Sequence, residues 1–331
     1  MSKIVVTGGL GYIGSVLAGQ LAAGGHEVVV VDNELVRERP PSTAETQYVQ
    51  GDVREPDDWE QVLRGAAGVV HLAAIVGDPA CALDHDLTWD TNYLGTIRVA
   101  EACARAGVRR LVFASTCSNY GVSRGEIADV FSPLSPQSVY AESKVRAEHY
   151  LLSRRGGRLL PGILRFATVY GLSPRMRFDL AVNIMTAKAV LDRRITVHGG
   201  TQWRPFLHVS DAATAAAVAL AAAPARAAEI YNCGSDAENY PLAEVGRVIQ
   251  REVGDVELDI LDGATDSRDY RVGFARTERL LGHRPSRRLV DGVRELRDAL
   301  RAGEFRDFAD KRYSDFLILR DLLATVTRLA S

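Results

Sequence analysis

The chain has 331 residues, 47% of them apolar, and a formal net charge of −2. This length allows one large α/β unit, or a large and a small domain, and the near-neutral charge argues against binding to nucleic acid or to an anionic membrane surface. No apolar run reaches the ~20 residues of a membrane span, and the chain starts without a basic-then-apolar leader. The four cysteines show neither metal-ligand spacing nor a paired framework. We therefore predict a cytoplasmic protein without a metal site or membrane segment.

Short runs of β-branched residues alternate with helical stretches through the first half of the chain. The predicted strands, apolar enough to be buried on both faces, are residues 4–7, 28–31, 47–49, 69–73 and 111–114. The predicted helices lie at residues 12–23, 57–63, 91–106 and 140–152. This alternation predicts an α/β fold with a doubly wound parallel sheet and helices on both of its faces.

The pattern becomes less regular after residue 171. Residues 172–331 mix short strands with helices, predicted from about residue 178 and at 242–253 and 290–302. We expect residues 1–171 to bind a dinucleotide and residues 172–331 to form a smaller substrate-binding lobe. Residues 204–223 are expected to return to the large domain, and the alanine-rich stretch at 212–228 is predicted to be a buried helix.

Three glycines between the first strand and the first helix indicate a dinucleotide site. Gly8, Gly11 and Gly14 have the spacing G-x-x-G-x-x-G. Glycines allow the backbone to turn sharply and to approach a pyrophosphate, whose charge is favoured at the helix N-terminus. The spacing departs from the G-x-G-x-x-G form, and three glycines alone would also fit an ordinary strand–helix turn.

Two carboxylates after the following strands strengthen this interpretation. Asp32 ends the second strand, where it could hydrogen-bond to a ribose 2′-hydroxyl and would repel a 2′-phosphate. The sequence thus favours NAD over NADP, although Arg37 and Arg39 could accommodate a phosphate. Asp52 could accept a hydrogen bond from the adenine amino group, or cap the residues that follow it.

A second motif indicates hydride-transfer chemistry. Tyr140 and Lys144 lie four residues apart, on one face of a predicted helix, and Thr116 ends a strand at the carboxyl edge of the sheet, where α/β folds bind ligands. Oxidation of an alcohol needs a base for the hydroxyl proton. Bringing a tyrosine from its reference pKa of about 10 to near 7 requires about 4 kcal/mol, which the Lys144 ammonium and a positively charged nicotinamide ring could supply.

Further segments give the chain a resemblance to a known family. They are residues 7–14, 71–74, 92–96, the segment around Thr116, and residues 140–144, 164–171 and 204–211. In them the chain resembles an extended short-chain dehydrogenase/reductase, in the group of NAD-dependent nucleotide-sugar epimerases and dehydratases. The resemblance implies a Rossmann fold with a smaller C-terminal substrate-binding lobe, NAD as cofactor and a nucleotide-diphosphate sugar as substrate.

The resemblance also implies roles for individual residues. Tyr140 would be the acid/base, Lys144 would orient the nicotinamide ribose, and Thr116 would be the hydroxyl partner. The residues implied to bind the cofactor are Gly8, Gly11, Tyr12, Ile13, Gly14, Asp32, Asn33, Asp52, Val53, Leu72, Ala73, Ala74, Asn92, Tyr140 and Lys144. Those implied to bind substrate are Cys117, Ser118, Thr168, Asn183, Arg204, Arg268 and Arg271, with Arg204 clamping the diphosphate.

Departures from the family pattern bear on the reaction. The dehydratases of the group have an acidic pair where this chain has Cys117 and Ser118, which argues against water elimination. A catalytic cysteine of the fucose-synthase-like enzymes falls at Ser118, so we interpret Cys117, one position off, as a packed small side chain. Thr168, where many 4-epimerases have asparagine, leaves the geometry of the sugar pocket open.

We therefore expect an NAD-dependent nucleotide-sugar epimerase that acts through a transient keto-sugar. The alternatives are an NAD(P)H-dependent keto-sugar nucleotide reductase, a dehydratase and a cofactor-binding protein without catalysis. We also expect a homodimer, because the predicted helices at 91–106 and 140–152 have apolar or small residues on more than one face. These residues are Val99, Ala100, Ala102, Cys103, Val145, Ala147 and Leu151.

Overall fold

The computed structural model describes residues 1–36, 42–154, 157–263 and 266–330. Arg37 and Arg39 lie outside this part of the chain. The strands are β1 (Lys3–Thr7), β2 (Glu27–Asp32), β3 (Thr46–Gln50), β4 (Gly68–His71), β5 (Arg110–Thr116), β6 (Val122–Ala128), β7 (Leu160–Phe166), β8 (Thr168–Tyr170), β9 (Arg194–His198), β10 (Trp203–His208), β11 (Ile230–Cys233), β12 (Asn239–Pro241), β13 (Glu257–Leu261) and β14 (Asp269–Val272). The α-helices are α1 (Tyr12–Ala23), α2 (Asp78–Cys81), α3 (His85–Trp89), α4 (Gly95–Arg105), α5 (Val139–Ser153), α6 (Ala181–Leu191), α7 (Val209–Ala221), α8 (Pro224–Ala227), α9 (Leu242–Val253), α10 (Ala275–Leu281), α11 (Leu289–Arg301) and α12 (Asp315–Ala330).

Seven strands form the central sheet, in the order β11-β7-β5-β4-β1-β2-β3, and every neighbouring pair is parallel. Alternate residues of the valine-rich strands face opposite sides, as the period of two requires. Val28 and Val30 pack in the cluster that contains side chains of α1 and α7, whereas Val29 and Val31 pack with those of α4 and α5. This is the predicted doubly wound parallel sheet.

Residues 57–63 are not the α-helix that the sequence predicted. They form parts of two 3₁₀ turns, Pro56–Asp58 and Glu60–Leu63, separated at Trp59. Trp59 is fully buried, and its indole Nε1 donates a hydrogen bond to the Asp52 carbonyl at 2.8 Å. The packing of this ring, which periodicity does not reveal, determines the local backbone.

The chain after residue 171 contributes both to a second core and to the central sheet. Helices α6, α9 and α11 pack around a cluster that includes Val182, Val245 and Leu296. Strand β11, which the sequence analysis missed, pairs with β7 and completes the central sheet, and α7 packs against α1. The division at residue 171 stays a prediction.

Helix α12 ends the described chain. The first residue of this helix, Asp315, forms ion pairs with Arg175 and Arg177, which follow β8. The helix also contacts α2. The sequence analysis did not single out this helix. None of the helices within the described residues has both the length and the apolar character that crossing a membrane requires.

Candidate active site

A cleft of about 970 Å³ opens at the carboxyl ends of β1, β2, β4, β5 and β7. This is the edge at which parallel α/β sheets bind ligands. The sequence-predicted residues that line it are Gly8, Gly11, Tyr12, Ile13, Gly14, Asp32, Asn33, Asp52, Val53, Leu72, Ala73, Ala74, Thr116, Ser118, Tyr140, Lys144, Thr168, Arg204 and Arg268. The fold thus brings the predicted cofactor, catalytic and diphosphate residues into one cavity.

The glycine loop is packed too closely for side chains. A Cβ on Gly14 would lie 2.2 Å from the Gly8 carbonyl oxygen, and one on Gly8, where φ is +72°, would lie 2.6 Å from the Ala73 nitrogen. Gly11 is the N-cap of α1, so no side chain competes for the first N–H groups of that helix. These free donors and the bare backbone fit the pyrophosphate of a dinucleotide.

Asp32 lies at the end of β2, beside this loop. Its carboxylate accepts hydrogen bonds from the Leu10 and Glu34 backbone N–H groups, both at 3.0 Å. Burial raises the pKa of this carboxyl, and the two hydrogen bonds oppose that rise. The two hydrogen bonds therefore hold the carboxylate in place at the end of β2, beside the glycine loop.

Asp52 is already engaged by a neighbour. Burial would raise the pKa of its carboxyl, but the hydrogen bonds and charge of Arg54 outweigh burial and hold it below its usual value. The Arg54 side chain donates to both carboxylate oxygens, at 3.0 and 2.9 Å. Asp52 thus lines the cleft as part of an ion pair, and its predicted contact with adenine stays a prediction.

Thr116, Tyr140 and Lys144 line the same cleft. The Thr116 side chain lies close enough to Tyr140 to lower the pKa of its hydroxyl, and the Lys144 Nζ donates to the Ala114 carbonyl at 2.9 Å. Burial raises the pKa of Tyr140, with smaller contributions from nearby acidic groups. Burial lowers the pKa of Lys144 to about 8. The phenol therefore keeps its proton at neutral pH, next to a lysine whose charge burial disfavours.

A buried ionic network behind these residues was missed by sequence reasoning. Glu148, one helical turn after Lys144, receives hydrogen bonds from Arg165 Nη2 at 2.6 Å and from Asn119 at 2.9 Å, and a further one from Ser115. Glu148 and Arg165 are 1% and 3% exposed. The sequence offered one signal of this network, because Arg165 is a charged residue within the otherwise apolar strand at residues 160–166 and would need a buried partner.

Cys117 and Ser118, which stand where the dehydratases of the family have an acidic pair, occupy different places. Ser118 lines the cleft, and its Oγ lies 3.3 Å from the Tyr270 hydroxyl. Cys117 is 1% exposed, donates from Sγ to the Arg165 carbonyl at 3.2 Å, and has a thiol pKa that burial raises well above its usual value. Its geometry is that of a packed side chain.

Arg204 and Arg268 contact each other and line the cleft. Arg204 Nη1 donates to the Arg268 carbonyl at 2.6 Å, and both guanidiniums lie within 2.8 Å of an Asp266 oxygen. Arg268 also pairs with Asp78 at 2.6 Å, which accepts from Ser138, the N-cap of α5. The Arg204–Arg268 pair is thus linked to the helix that carries Tyr140.

Four predicted site residues do not line the cleft in the part of the chain that the structure describes: Asn92, Asn183, Arg271 and Cys117. Asn92 hydrogen-bonds to both backbone groups of Ile75, whereas Asn183 accepts from the Gly171 N–H. Arg271 donates to the Gly125 carbonyl and lies over the ring of Trp203. Asn92 and Asn183 hold cleft-forming segments from behind.

Arg175 and Arg177, which do line the cleft, were not among the predicted site residues.

Comparison with known proteins yields matches over most of the chain. Residues 4–234 match the model of the NAD dependent epimerase/dehydratase family. The UDP-glucose 4-epimerase of Streptomyces lividans is 31% identical over 306 residues, which cover 86% of this chain and 92% of that protein. The structure of Thermus thermophilus UDP-glucose 4-epimerase in complex with NAD has a TM-score of 0.79 and 30% identity, covering 90% of this chain and 99% of that one. MoeE5 in complex with UDP-glucose and NAD has a TM-score of 0.80 and 29% identity, covering 91% and 99%.

These matches confirm the predicted fold, the predicted cofactor, NAD, and the predicted class, an NAD-dependent sugar-nucleotide epimerase. They do not test the roles of individual residues. By the extent of the family match and the similarity to these relatives, the chain belongs to the NAD-dependent epimerase/dehydratase family.

Proposed function

We propose that the protein interconverts UDP-hexoses that differ in configuration at C4, with Tyr140 as the acid/base. The observation that carries this proposal is the position of the Thr116–Tyr140–Lys144 set. It lines a single cleft together with the glycine loop and the Arg204–Arg268 pair. The names of the relatives support the uridine nucleotide and the 4-position.

The glycine loop and Asp32 would hold the cofactor. The loop offers N–H groups to the pyrophosphate, and the Asp32 carboxylate lies where it would accept from a ribose hydroxyl. When bound, NAD supplies reversible hydride acceptance, which an epimerase needs for both halves of its reaction. Because Asp32 would face a 2′-phosphate, the site favours NAD over NADP.

As a phenolate, with its pKa lowered by the Lys144 ammonium and by the positively charged nicotinamide ring of bound NAD, Tyr140 would take the proton from the sugar hydroxyl and later return it. The neighbouring Thr116 hydroxyl, which lowers the pKa of Tyr140, would share that proton, and general acid–base catalysis of this kind contributes typically ~10²–10⁴-fold. The buried Lys144 ammonium is the cation that stabilises the phenolate. Each pKa unit by which the phenol is lowered corresponds to about 1.4 kcal/mol.

Arg204 and Arg268 would bind the diphosphate, since guanidiniums present paired donors to phosphate oxygens. Asp266 and Asp78 orient the two side chains. At the reaction centre, the residues at positions 117 and 118 carry no carboxylate, so an acid/base pair for water elimination is missing there. This favours epimerisation over dehydration.

The test of this proposal measures the configuration at C4 of the sugar directly. Purified protein with NAD is incubated separately with UDP-glucose and UDP-galactose, and the products are identified by proton NMR. We expect both reactions to reach the same mixture without accumulation of NADH. Formation of NADH in proportion to a keto product would indicate the reductase running in its oxidative direction, and an unsaturated or 4-keto-6-deoxy product without net NADH would indicate a dehydratase.

A further inference from the structure

Arg175 and Arg177 lie in the segment after β8, apart from the Arg204–Arg268 pair. Their side chains are 3% and 8% exposed, respectively, and both line the cleft. Arg177 shares this cleft with Tyr140, and its charge lowers the pKa of that residue. Two buried arginines at this place have no role in the mechanism described above.

Their present partners leave hydrogen-bonding capacity unused. Arg175 Nη2 donates to Asp315 at 2.5 Å and Nη1 to the Met176 carbonyl at 3.1 Å, but its buried Nε has no hydrogen-bond partner among the described residues. Arg177 is bound in a bidentate manner by Asp179, at 2.8 and 2.9 Å, and also pairs with Asp315 at 2.9 Å. A buried donor left unsatisfied is costly, and it marks a place where a ligand atom would be favourable.

The two carboxylates differ in how firmly they are placed. Asp179 belongs to the same segment as the arginines and is two residues from Arg177. Asp315 instead begins helix α12, and its side chain is 22% exposed. Further along α12, Leu322 and Val326 line the cleft while 40% and 56% exposed. The outer turns of this helix therefore bury little apolar surface. Its first turn is held more firmly, because Leu319 is 3% exposed and the Asp315 N–H donates to Asp179 Oδ2 at 3.0 Å. Release of the Asp315 carboxylate would therefore need only a rotation of its side chain.

We propose that Arg175 and Arg177 form an oxyanion-binding subsite of the cleft, which Asp315 fills until an oxyanion of the bound ligand replaces it. Without Asp315, two guanidiniums would face the single carboxylate of Asp179. A buried site with one uncompensated positive charge strongly favours an anion. The identity of the ligand rests on the proposed function: the oxyanion is a phosphate of the cofactor or of the nucleotide sugar, or the carboxylate of a sugar acid.

Binding to the full chain tests this without requiring turnover. Titration calorimetry with inorganic phosphate, NAD, UDP-glucose and UDP-glucuronic acid is compared for wild type, Asp315→Asn and Arg175→Met. We expect Asp315→Asn to tighten binding of at least one probe, and Arg175→Met to weaken binding of the same probe, by about tenfold each, as for loss or gain of one charged hydrogen bond. Asp321→Asn is the control, because Asp321 lies on the same helix but pairs with Lys311. It should leave every affinity within about twofold.

The pattern among probes identifies the source of the oxyanion. A gain confined to UDP-glucuronic acid assigns the carboxylate, an equal gain with both UDP-sugars assigns the nucleotide phosphates, and a gain with NAD assigns the cofactor. If Asp315→Asn tightens none of the four probes, the subsite does not exist as proposed. A protein that shows the gain but never epimerises a sugar would contradict the proposed function and leave the subsite intact.

A measurement on wild type guards against a variant that fails to fold. Release of Asp315 should loosen the start of α12, so the probe that binds the subsite should accelerate tryptic cleavage at the exposed Arg320. Unchanged or slower cleavage with all four probes would overturn the proposal. A purely structural role of Asp315 predicts lower thermal stability in Asp315→Asn, with no gain in affinity.

Discussion

At the residue scale, Lys144 is buried in a position that disfavours its protonated, charged form. Its side chain is buried, and burial lowers its pKa from 10.5 to about 8, against the opposing effects of Cys81 and Glu148. Because the folded-state pKa lies below the unfolded one, folding carries a cost while the lysine is protonated. That cost is full below about pH 8 and disappears as the pH rises towards 10.5. The site thus keeps a destabilising group for its chemistry.

We therefore predict that Lys144→Met inactivates the enzyme but stabilises the cofactor-free protein at pH 7. The shift corresponds to about 3 kcal/mol, and the lost hydrogen bond to Ala114 removes about 1 kcal/mol of the gain. Urea unfolding at pH 7 and pH 10 measures the difference from wild type, which should shrink at the higher pH. The exposed Lys188→Met is the control. A destabilised Lys144→Met at pH 7 would contradict the assignment of burial as the dominant effect.

Asp32 is the residue that we expect to select the cofactor. Asp32→Ala removes the carboxylate that would repel a 2′-phosphate, so the ratio of the NADP to the NAD dissociation constant should fall by about tenfold or more. Titration calorimetry of cofactor-free protein measures both constants. Tighter binding of NADP than NAD by wild type would contradict the assignment, since the carboxylate would then have no discriminating effect.

At the element scale, Glu148 ties α5 to the sheet. Glu148 is on the helix that carries Tyr140 and Lys144, whereas its partners Ser115 and Arg165 are on β5 and β7. Thr116 directly follows Ser115. The network therefore fixes the helix and the strand end relative to each other, which keeps Tyr140 next to Thr116.

Arg165→Met should destabilise the protein by about 3–5 kcal/mol, because it leaves the buried Glu148 carboxylate unpaired. Arg105→Met is a matched control. Arg105 pairs with Glu60 at 2.7 Å but is 51% exposed, and loss of such a surface pair costs about 1 kcal/mol or less. Chemical denaturation compares the two. Equal losses would mean that the buried network does not hold these elements together.

The elements predicted correctly are those whose structure is indicated by residues within the element itself. The valine strands and α1 were found because burial on both faces and glycine spacing are local signals. The segment around Trp59 was assigned wrongly, because a tertiary contact of the indole determines its backbone. Strand β11 and helix α12 were missed, because their places depend on partners more than 60 residues away in the chain.

The same distinction applies to the site. Residues in motifs, such as Gly14, Thr116 and Tyr140, were placed correctly at the cleft edge by the position of their strand or helix. Asn183 and Arg271 were carried over from the family pattern, and they contact the backbone instead of the cleft. Arg175 shows the converse, because only the fold reveals that an arginine in a loop is buried and lines the cleft.

At the scale of the whole molecule, one of the two reasons for expecting a homodimer does not hold. The apolar residues on more than one face of α4 and α5 are not left for a partner chain to cover. The apolar residues named for it on α4 and α5 are all buried within the single chain, from Val99 at 0% to Val145 at 8% exposed. Packing against the sheet and against each other covers more of these helices than their periodicity indicated. The dimer stays a prediction that rests on the family resemblance.

Light scattering at micromolar concentration tests it. We expect a mass of about twice 36.0 kDa, with α4 and α5 paired across a two-fold axis. Glu142→Arg together with Arg146→Glu reverses two exposed charges on α5 and should weaken a dimer formed there. A monomeric mass for wild type would contradict the expectation and leave the proposed reaction unaffected.

The central claim is that Tyr140 transfers the proton in sugar-nucleotide epimerisation, and Tyr140→Phe tests it most directly. The ring keeps its packing and only the hydroxyl is lost, so kcat should fall by at least ~10²–10⁴-fold. The dissociation constants for NAD and UDP-glucose should change less than about threefold. The measurement is UDP-galactose formation by proton NMR, together with calorimetric binding of both ligands. Turnover within about tenfold of wild type, with both ligands still bound, would contradict the claim.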